Sequence, residues 1–386
     1  MTTEYALVVL LFVLFVVPRV LQRYRVPAAV TALGCGLLPS PWMGLLQHDT
    51  TVALLYTLGI VSCFLFAGLD VNPRELVDER RTLLEHVLVR VLMIALVSAL
   101  GVAVLGLERP AAVLVALSLL TPSTGFILDS VGRWLAHPRD RFWVRSKAIA
   151  TELVALFLLF VVMQSSSPVR LAASAAVLIA MVAVLPVVFR WFASAVLPHA
   201  PRSEFGFLLM VALVCAVVTR QLGVYYLVGA FAAGLVARRF RAQLPALASD
   251  RMLDAVEAFA SLFVPFYFFH AGLSLGSEIF TLAAAGYGAV FLITVVPFRL
   301  CVVAAHRAWR LREAPAQGLR IAMAMLPTTV FALVLVEILR EQAWAPRELL
   351  GGLVIYALGT TRLPGLVLRA DVAAFEEELT LGSATS

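Results

Sequence analysis

Charge is scarce in this chain. Only 14% of its 386 residues are charged, against 62% hydrophobic, where a soluble domain carries close to a quarter charged residues. That shortage excludes a soluble globular protein and points to the lipid bilayer. Lysine is nearly missing: Lys147 is the sole example among 30 basic residues. The arginines are spread over short loops rather than clustered, which excludes a nucleic-acid surface. The four cysteines, Cys35, Cys63, Cys215 and Cys301, all fall inside apolar runs. None is spaced as a metal pair, and they read as small apolar packing residues. A glycine-rich phosphate loop, a metal-spaced His/Cys cluster and a nucleophile triad are all missing, so neither enzyme chemistry nor a cofactor is expected. Alternating ten-residue segments are lacking too, which excludes a β-barrel.

What the chain has instead is a series of apolar runs near twenty residues long, the length a helix needs to cross a bilayer. Counting them predicts an all-α integral membrane protein of about thirteen transmembrane helices, within one transporter unit over residues 1–370. The first run lacks a basic leader and a small-residue cleavage site, and reads as a retained span. The acidic stretch 371–386 reads as a short disordered tail. Loops and flanking turns after the odd-numbered spans carry 20 basic residues, and those after the even-numbered spans carry 5. The positive-inside rule then places the N-terminus outside and the C-terminus in the cytoplasm of a cell membrane, with a bacterial inner membrane expected.

Several segments recur. VPAAVTALGCGLL from Val26 resembles VYYLVGAFAAGLV from Val224, FLFAGLDV resembles FFHAGLSL, and LTPSTGFIL resembles MLPTTVFAL. The offsets are 198, 204 and 205 residues, so spans 2, 3 and 5 match spans 9, 10 and 12. A shift of seven spans reverses direction through the membrane, which predicts an inverted-topology repeat. Repeat one covers about 1–164, a linker helix covers 169–195, and repeat two covers about 204–368.

The third pair places Pro122 and Pro327 inside two spans that run in opposite senses. Proline removes a backbone donor and breaks a helix. Two broken helices at matching positions point to a substrate site near the midplane, with half-helix ends aimed into it. Thr121, Ser123, Thr124, Thr328 and Thr329 supply hydroxyls to the freed groups or to a bound ion. Glu152 and Arg299 lie at similar depth, about eight and six or seven residues from one end of their spans, so roughly 10–12 Å in. A carboxylate there is a functional hypothesis by default. Glu152 is expected to swap a proton for a monovalent cation, with Thr151 beside it as a neutral oxygen. Arg299 holds its proton too firmly to carry one, so it reads as a fixed charge partner or a helix-end neutraliser. Neither charge recurs at the 205-residue offset, where Ile94 and Ala357 stand. His270 reads as a core histidine. Arg90, with Glu85 or His86, reads as a local pair near an interface.

These residues resemble the monovalent cation:proton antiporter superfamily, in its sodium/proton exchanger and potassium-efflux-antiporter-like branch. LGIVSCFLFAGLDVNPREL is similar to that family's third-span signature, LGVYYLVGAFAAGLVARR to its "LG…GAFLAGL" segment, and LFVPFYFFHAGLSL to its "PFFFVSVGLSL" segment. The resemblance implies two crossed broken helices in a core domain, and a dimerisation domain that makes a homodimer. It places the family's ion-binding carboxylate on Glu152, its basic residue on Arg299, and its breaks at Thr121–Thr124 and Leu326–Thr329. The family's Asn-Asp or Asp-Asp pair is replaced here by Thr151-Glu152, with one carboxylate and a longer arm. The expected function is secondary active exchange of Na⁺ or K⁺ for H⁺ by alternating access, electroneutral, with membrane lipid, cation and proton as the partners. A sodium-coupled organic solute symporter on a related fold and a non-transporting ion-binding module stand as alternatives.

Overall fold

The computed structural model describes residues 3–23, 26–38, 46, 49–71, 80–124, 127, 135, 137–165, 167–200, 203–223, 225–239 and 250–368. Among these residues there are fourteen α-helices and no strand. In chain order the first seven are α1 (Thr3–Gln22), α2 (Ala28–Leu37), α3 (Thr50–Asp70), α4 (Arg80–Leu105), α5 (Arg109–Leu120), α6 (Pro138–Gln164) and α7 (Pro168–Trp191). The rest are α8 (Glu204–Gln221), α9 (Tyr226–Arg239), α10 (Asp250–Leu275), α11 (Leu282–Leu311), α12 (Pro315–Ala324), α13 (Thr329–Glu341) and α14 (Arg347–Val367).

Helices are what hydrocarbon permits, because each satisfies its own backbone donors and acceptors. Eight of them are long and apolar enough to cross a membrane unaided. The thirteen expected spans become fourteen helices because the twelfth is in two pieces, α12 and α13, bent by 52°. The fifth stops at Leu120, just before Pro122. Its expected continuation, the end of the second span (39–45) and the tail (371–386) lie mostly or wholly outside the described residues.

The helices fall into two compact units, each assembled from both halves of the chain. One comprises Met1–Glu79 with Leu156–Ser277, and the other Arg80–Ala155 with Glu278–Ser386.

In the first unit, α3 packs on α9 and α10, and α2 packs on α10. Lipid tails are as apolar as leucine, so close packing through small residues must hold such helices together. Glycines make the crossings. A Cβ on Gly68 of α3 would sit 2.3 Å from the Phe231 carbonyl oxygen, and one on Gly234 of α9 would sit 2.4 Å from that of Leu65. The counterparts do the same: Gly272 of α10 meets the Leu33 oxygen at 2.3 Å, and Gly36 of α2 meets that of Phe269 at 2.1 Å. Gly36 matches Gly234 at the 198-residue offset, and Gly68 matches Gly272 at 204. Each glycine of one repeat is therefore pressed against the backbone of the other. His270, in the same unit, stacks on the Tyr56 ring at 3.9 Å between centroids.

The second unit holds α4, α5, the first half of α6, and α11 to α14. Buried residues of α4 recur every three or four positions (Thr82, His86, Arg90, Met93, Ile94), so one face turns inward. That face carries two residues that solvent or lipid headgroups would ordinarily claim, His86 and Arg90. The first eight residues of α13, Thr329–Val336, are all buried. Tight burial is how a segment that opens on a threonine hydroxyl and a broken entry survives in an apolar setting.

Candidate functional site

The two breaks cross in the second unit. The Ser123 amide donates to the Pro327 carbonyl at 2.7 Å, which joins the backbones of the two interruptions directly. Ser123 Oγ also accepts the Val330 amide at 2.9 Å. The first break thus supplies the N-terminal cap for the helix that follows the second. An N-cap hydroxyl contributes about 1 kcal/mol. Ser123→Ala is expected to lower the thermal unfolding midpoint of the detergent-solubilised protein by that order, and Ser123→Thr to restore most of it. An unchanged midpoint in the alanine variant would remove the cap from the account.

The C-terminal ends of α5 and α12 carry unsatisfied carbonyls and partial negative charge. Arg299 of α11 takes both. Its Nη1 donates to Leu119 O at 3.1 Å and to Tyr356 Oη at 3.0 Å, and its Nη2 donates to Met325 O at 2.9 Å. The Tyr356 hydroxyl donates to Leu119 O at 2.8 Å. Arg90, fully buried, reaches Leu120 O at 3.5 Å. Two arginines therefore face the ends of the half-helices. Among the described residues no ion pair joins Arg299 to Glu152. Of its two expected places, Arg299 occupies the helix ends.

The hydroxyls divide into two groups. Thr328 Oγ1 lies 3.1 Å from Thr360 Oγ1, and Thr329 Oγ1 is hydrogen-bonded to Thr361 Oγ1. Thr360 and Thr361 also donate to the Ala357 carbonyl on α14. That half of the crossing is closed on itself. The other half is open. Thr121 Oγ1, Thr124 Oγ1 and Glu152 Oε2 are buried and complete no hydrogen bond of ordinary geometry among the described residues, although Thr124 is the hydroxyl neighbour of the Glu152 carboxyl. Thr124 and Thr329 are counterparts at the 205-residue offset. The repeat thus gives one threonine a threonine partner and the other a carboxylate.

Thr151 turns toward α4. Its hydroxyl donates to Lys147 O at 2.8 Å and lies 3.2 Å from His86 Nε2. With its proton committed to the carbonyl, Thr151 accepts from the imidazole, which assigns the His86 proton to Nε2. Farther along, Arg307 is fully buried and held by two bonds of 2.8 Å to Glu313. Arg312, left-handed at φ 52°, turns the chain after α11 so that Glu313 comes back to it. Gln317 donates to both oxygens of Asp140 at 3.3 Å, which ties α12 to the start of α6. Among the described residues no group of three or more His, Cys, Asp or Glu could hold a metal ion.

Two broken helices crossing over a buried carboxylate, on a scaffold of matched halves, narrow the comparison to membrane transporters. The family model described as "Sodium/hydrogen exchanger, transmembrane" matches residues 8–373. The chain belongs to the sodium/hydrogen exchanger family. It is 26% identical over 334 residues to the Na(+)/H(+) antiporter NhaS5 of Synechocystis sp., covering 83% of this chain and 47% of that protein. It is 29% identical over 76 residues to the probable Na(+)/H(+) antiporter 3 of Methanocaldococcus jannaschii, covering 19% of this chain and 20% of that protein. The chain thus spans about half or less of the curated relatives it matches. Among solved structures it resembles the sodium proton antiporter MjNhaP1 of Methanocaldococcus jannaschii at pH 8, with a TM-score of 0.70, 14% identity, and 96% and 97% of the two chains covered. An electron-microscopy map of MjNhaP1 gives a TM-score of 0.67 at 16% identity, covering 97% and 98%. At such identity these likenesses establish the fold.

In this exchanger-family chain, several residues around the breaks were not evident from sequence. Arg90 is no interface pair. It is 1% exposed and sits one helical turn from Ile94, the position where a counterpart of Arg299 was sought. Lys147, grouped with loop charges in the count of basic residues, is wholly buried on α6. Tyr356, Thr360 and Thr361 showed only as an ordinary stretch of the last span. For Lys147 there was a signal: it is the single lysine in the chain, four residues before Thr151.

Proposed function

We propose that the protein exchanges a monovalent cation, Na⁺ or K⁺, for protons by alternating access, with Glu152 holding cation and proton in turn. The observation that carries this reading is the set of buried oxygens at one break that complete no hydrogen bond of ordinary geometry among the described residues: Thr121 Oγ1, Thr124 Oγ1 and Glu152 Oε2. A buried acceptor without a donor is costly. A proton on the carboxyl, or a small cation shared with the threonine oxygens, removes that cost. The two ligands exclude one another because both need the same oxygen, and this exclusion is what couples their movements. Ser123 and the Thr328–Thr329 pair hold the crossing in shape, and Thr151 fixes the face of α6 beside the carboxylate. Arg299 and Pro122 and Pro327 serve as framework: the prolines free the helix ends, and the arginine neutralises two of them.

One carboxylate gives one charge. A single Glu152 traded between H⁺ and M⁺ moves no net charge per cycle, so exchange is electroneutral. The basic-residue asymmetry supports an external N-terminus and a cytoplasmic C-terminus in the cell membrane. The apolar window of α7 and its continuation, only 11% buried, offers surface to lipid or to a second copy, in keeping with the homodimer the family resemblance implies.

The test is proton flux in purified proteoliposomes carrying an internal pH dye, with pulses of Na⁺, K⁺ and Li⁺ in turn. A cation-dependent pH change is expected, at a rate unaffected by a potassium-diffusion or other imposed membrane potential. A rate that rises with potential would overturn the one-for-one stoichiometry. An absence of flux with every cation, across a range of pH, would overturn exchange itself and favour a symporter or a non-transporting ion-binding module.

A further inference from the structure

Arg90, Lys147, Arg299 and Arg307 are all fully buried in the second unit. Three of them have acceptors: the half-helix carbonyls for Arg90 and Arg299, and the Glu313 carboxylate for Arg307. Lys147 has none. Its ammonium forms no hydrogen bond, and the compensation in reach is the face of the Trp143 ring, 5.6 Å from the centroid. The carboxylate whose charge reaches it, Glu313, is engaged by Arg307, and an ammonium buried without a hydrogen-bonded counter-charge is costly.

The surroundings of Lys147 add to its charge. Thr151, on the same face of α6, bonds both the Lys147 carbonyl and the His86 ring. The His86 and His306 rings lie 6.3 Å apart, and Arg307 follows His306 on α11. Lys147, His86, His306 and Arg307 are close enough for their charges to act on one another. The acidic groups at the margin are occupied. Glu313 is held by Arg307 on two bonds, Asp140 lies 3.9 Å from Arg307 and accepts from Gln317, and Glu85 lies 2.8 Å from Arg310 and 4.0 Å from His306. Two donors on two helices remain unused among the described residues: Lys147 Nζ and Arg307 Nη1. Buried donors left unused are the converse of the Glu152 site, where the unused atoms are oxygens.

We propose that the junction of α6 and α11, beside α4, binds a small inorganic anion of the chloride class, with Lys147 as its main ligand and Arg307 Nη1 as a further donor. A halide fits better than a phosphate, which would bring more charge and more oxygens than these donors can satisfy. The anion is a resident counter-ion that ties α6 to α11 near Thr151, and its binding does not depend on whether the protein exchanges cations.

The experiment is thermal unfolding of the purified full chain in detergent, at fixed sodium and fixed ionic strength, with chloride replacing gluconate stepwise. The midpoint is expected to rise saturably by a few degrees with chloride, as for a ligand that binds only the folded state. The rise is expected to vanish in Lys147→Met. Identical midpoints in chloride and gluconate for the natural protein would overturn the proposal, as would an undiminished rise in folded Lys147→Met. Should that variant not be recovered folded, Lys147→Arg carries the test. Its larger, planar donor must move the half-saturating chloride concentration by about threefold or more, and an unchanged value would overturn the assignment.

Discussion

Replacing Glu152 with glutamine should reduce cation-driven proton flux in proteoliposomes to the level of protein-free vesicles. Glutamine keeps the size and the hydrogen-bonding shape of the side chain. It removes the negative charge that a cation needs and the site a proton occupies, so both halves of the cycle fail together. The variant should fold and reconstitute, because an uncharged amide at a site that is 3% exposed carries a smaller desolvation cost than a carboxylate. Its unfolding midpoint should match or exceed that of the natural protein. Glu152→Asp separates charge from reach. It retains the carboxylate one methylene farther from Thr124, so flux should persist at a reduced level with the half-saturating cation concentration raised severalfold. Undiminished flux in Glu152→Gln would show that another group carries the proton, and the open oxygens at the first break would then need a different explanation.

The second large effect is on folding. Gly68→Leu should abolish recovery of folded, monodisperse protein from the membrane, and Gly272→Leu should do the same. At both positions the first side-chain carbon would lie 2.3 Å from a carbonyl oxygen of the neighbouring helix, well inside contact distance. The obstruction is backbone, so no rotamer change relieves it. The helices must part, and each crossing loses its packing along several turns, a cost of more than about 3 kcal/mol. Gly286→Ala on α11 is the control. No atom lies within 4 Å of a Cβ there, and alanine favours a helix over glycine by about 1 kcal/mol, so this variant should be as stable as the natural protein or more so. Equal recovery of Gly68→Leu and Gly286→Ala would mean that the α3–α9 contact does not hold the first unit together.

The same glycines show how far the linear text reaches. Gly68, Gly272, Gly36 and Gly234 were found as recurrences at fixed offsets, and the fold uses them as reciprocal crossings, because an inverted repeat must bring each half against the other. Pro122 and Pro327 were legible because proline's effect on a helix is local. Glu152 was legible because a lone acid in an apolar run stands out against its neighbours. Spans, repeat, breaks and the isolated carboxylate therefore follow from composition, order and local chemistry.

Other features needed three dimensions. Arg90 escaped a search at a constant offset because the two halves differ by a helical turn there, and one turn leaves a side chain on the same face but four residues away. Lys147 was lost among loop charges because the first turns of α6 carry Arg139, Asp140, Arg141 and Arg145. Hydropathy cannot tell a polar turn in water from one covered by neighbouring helices. Thr360 and Thr361 gained meaning only opposite Thr328 and Thr329. Hydropathy sums what each segment prefers between lipid and water, and that decided the helices and their order. Which oxygen finds a donor, and which buried charge is left without one, depends on where helices cross and on what faces what across a few ångströms, and only the tertiary structure decided it.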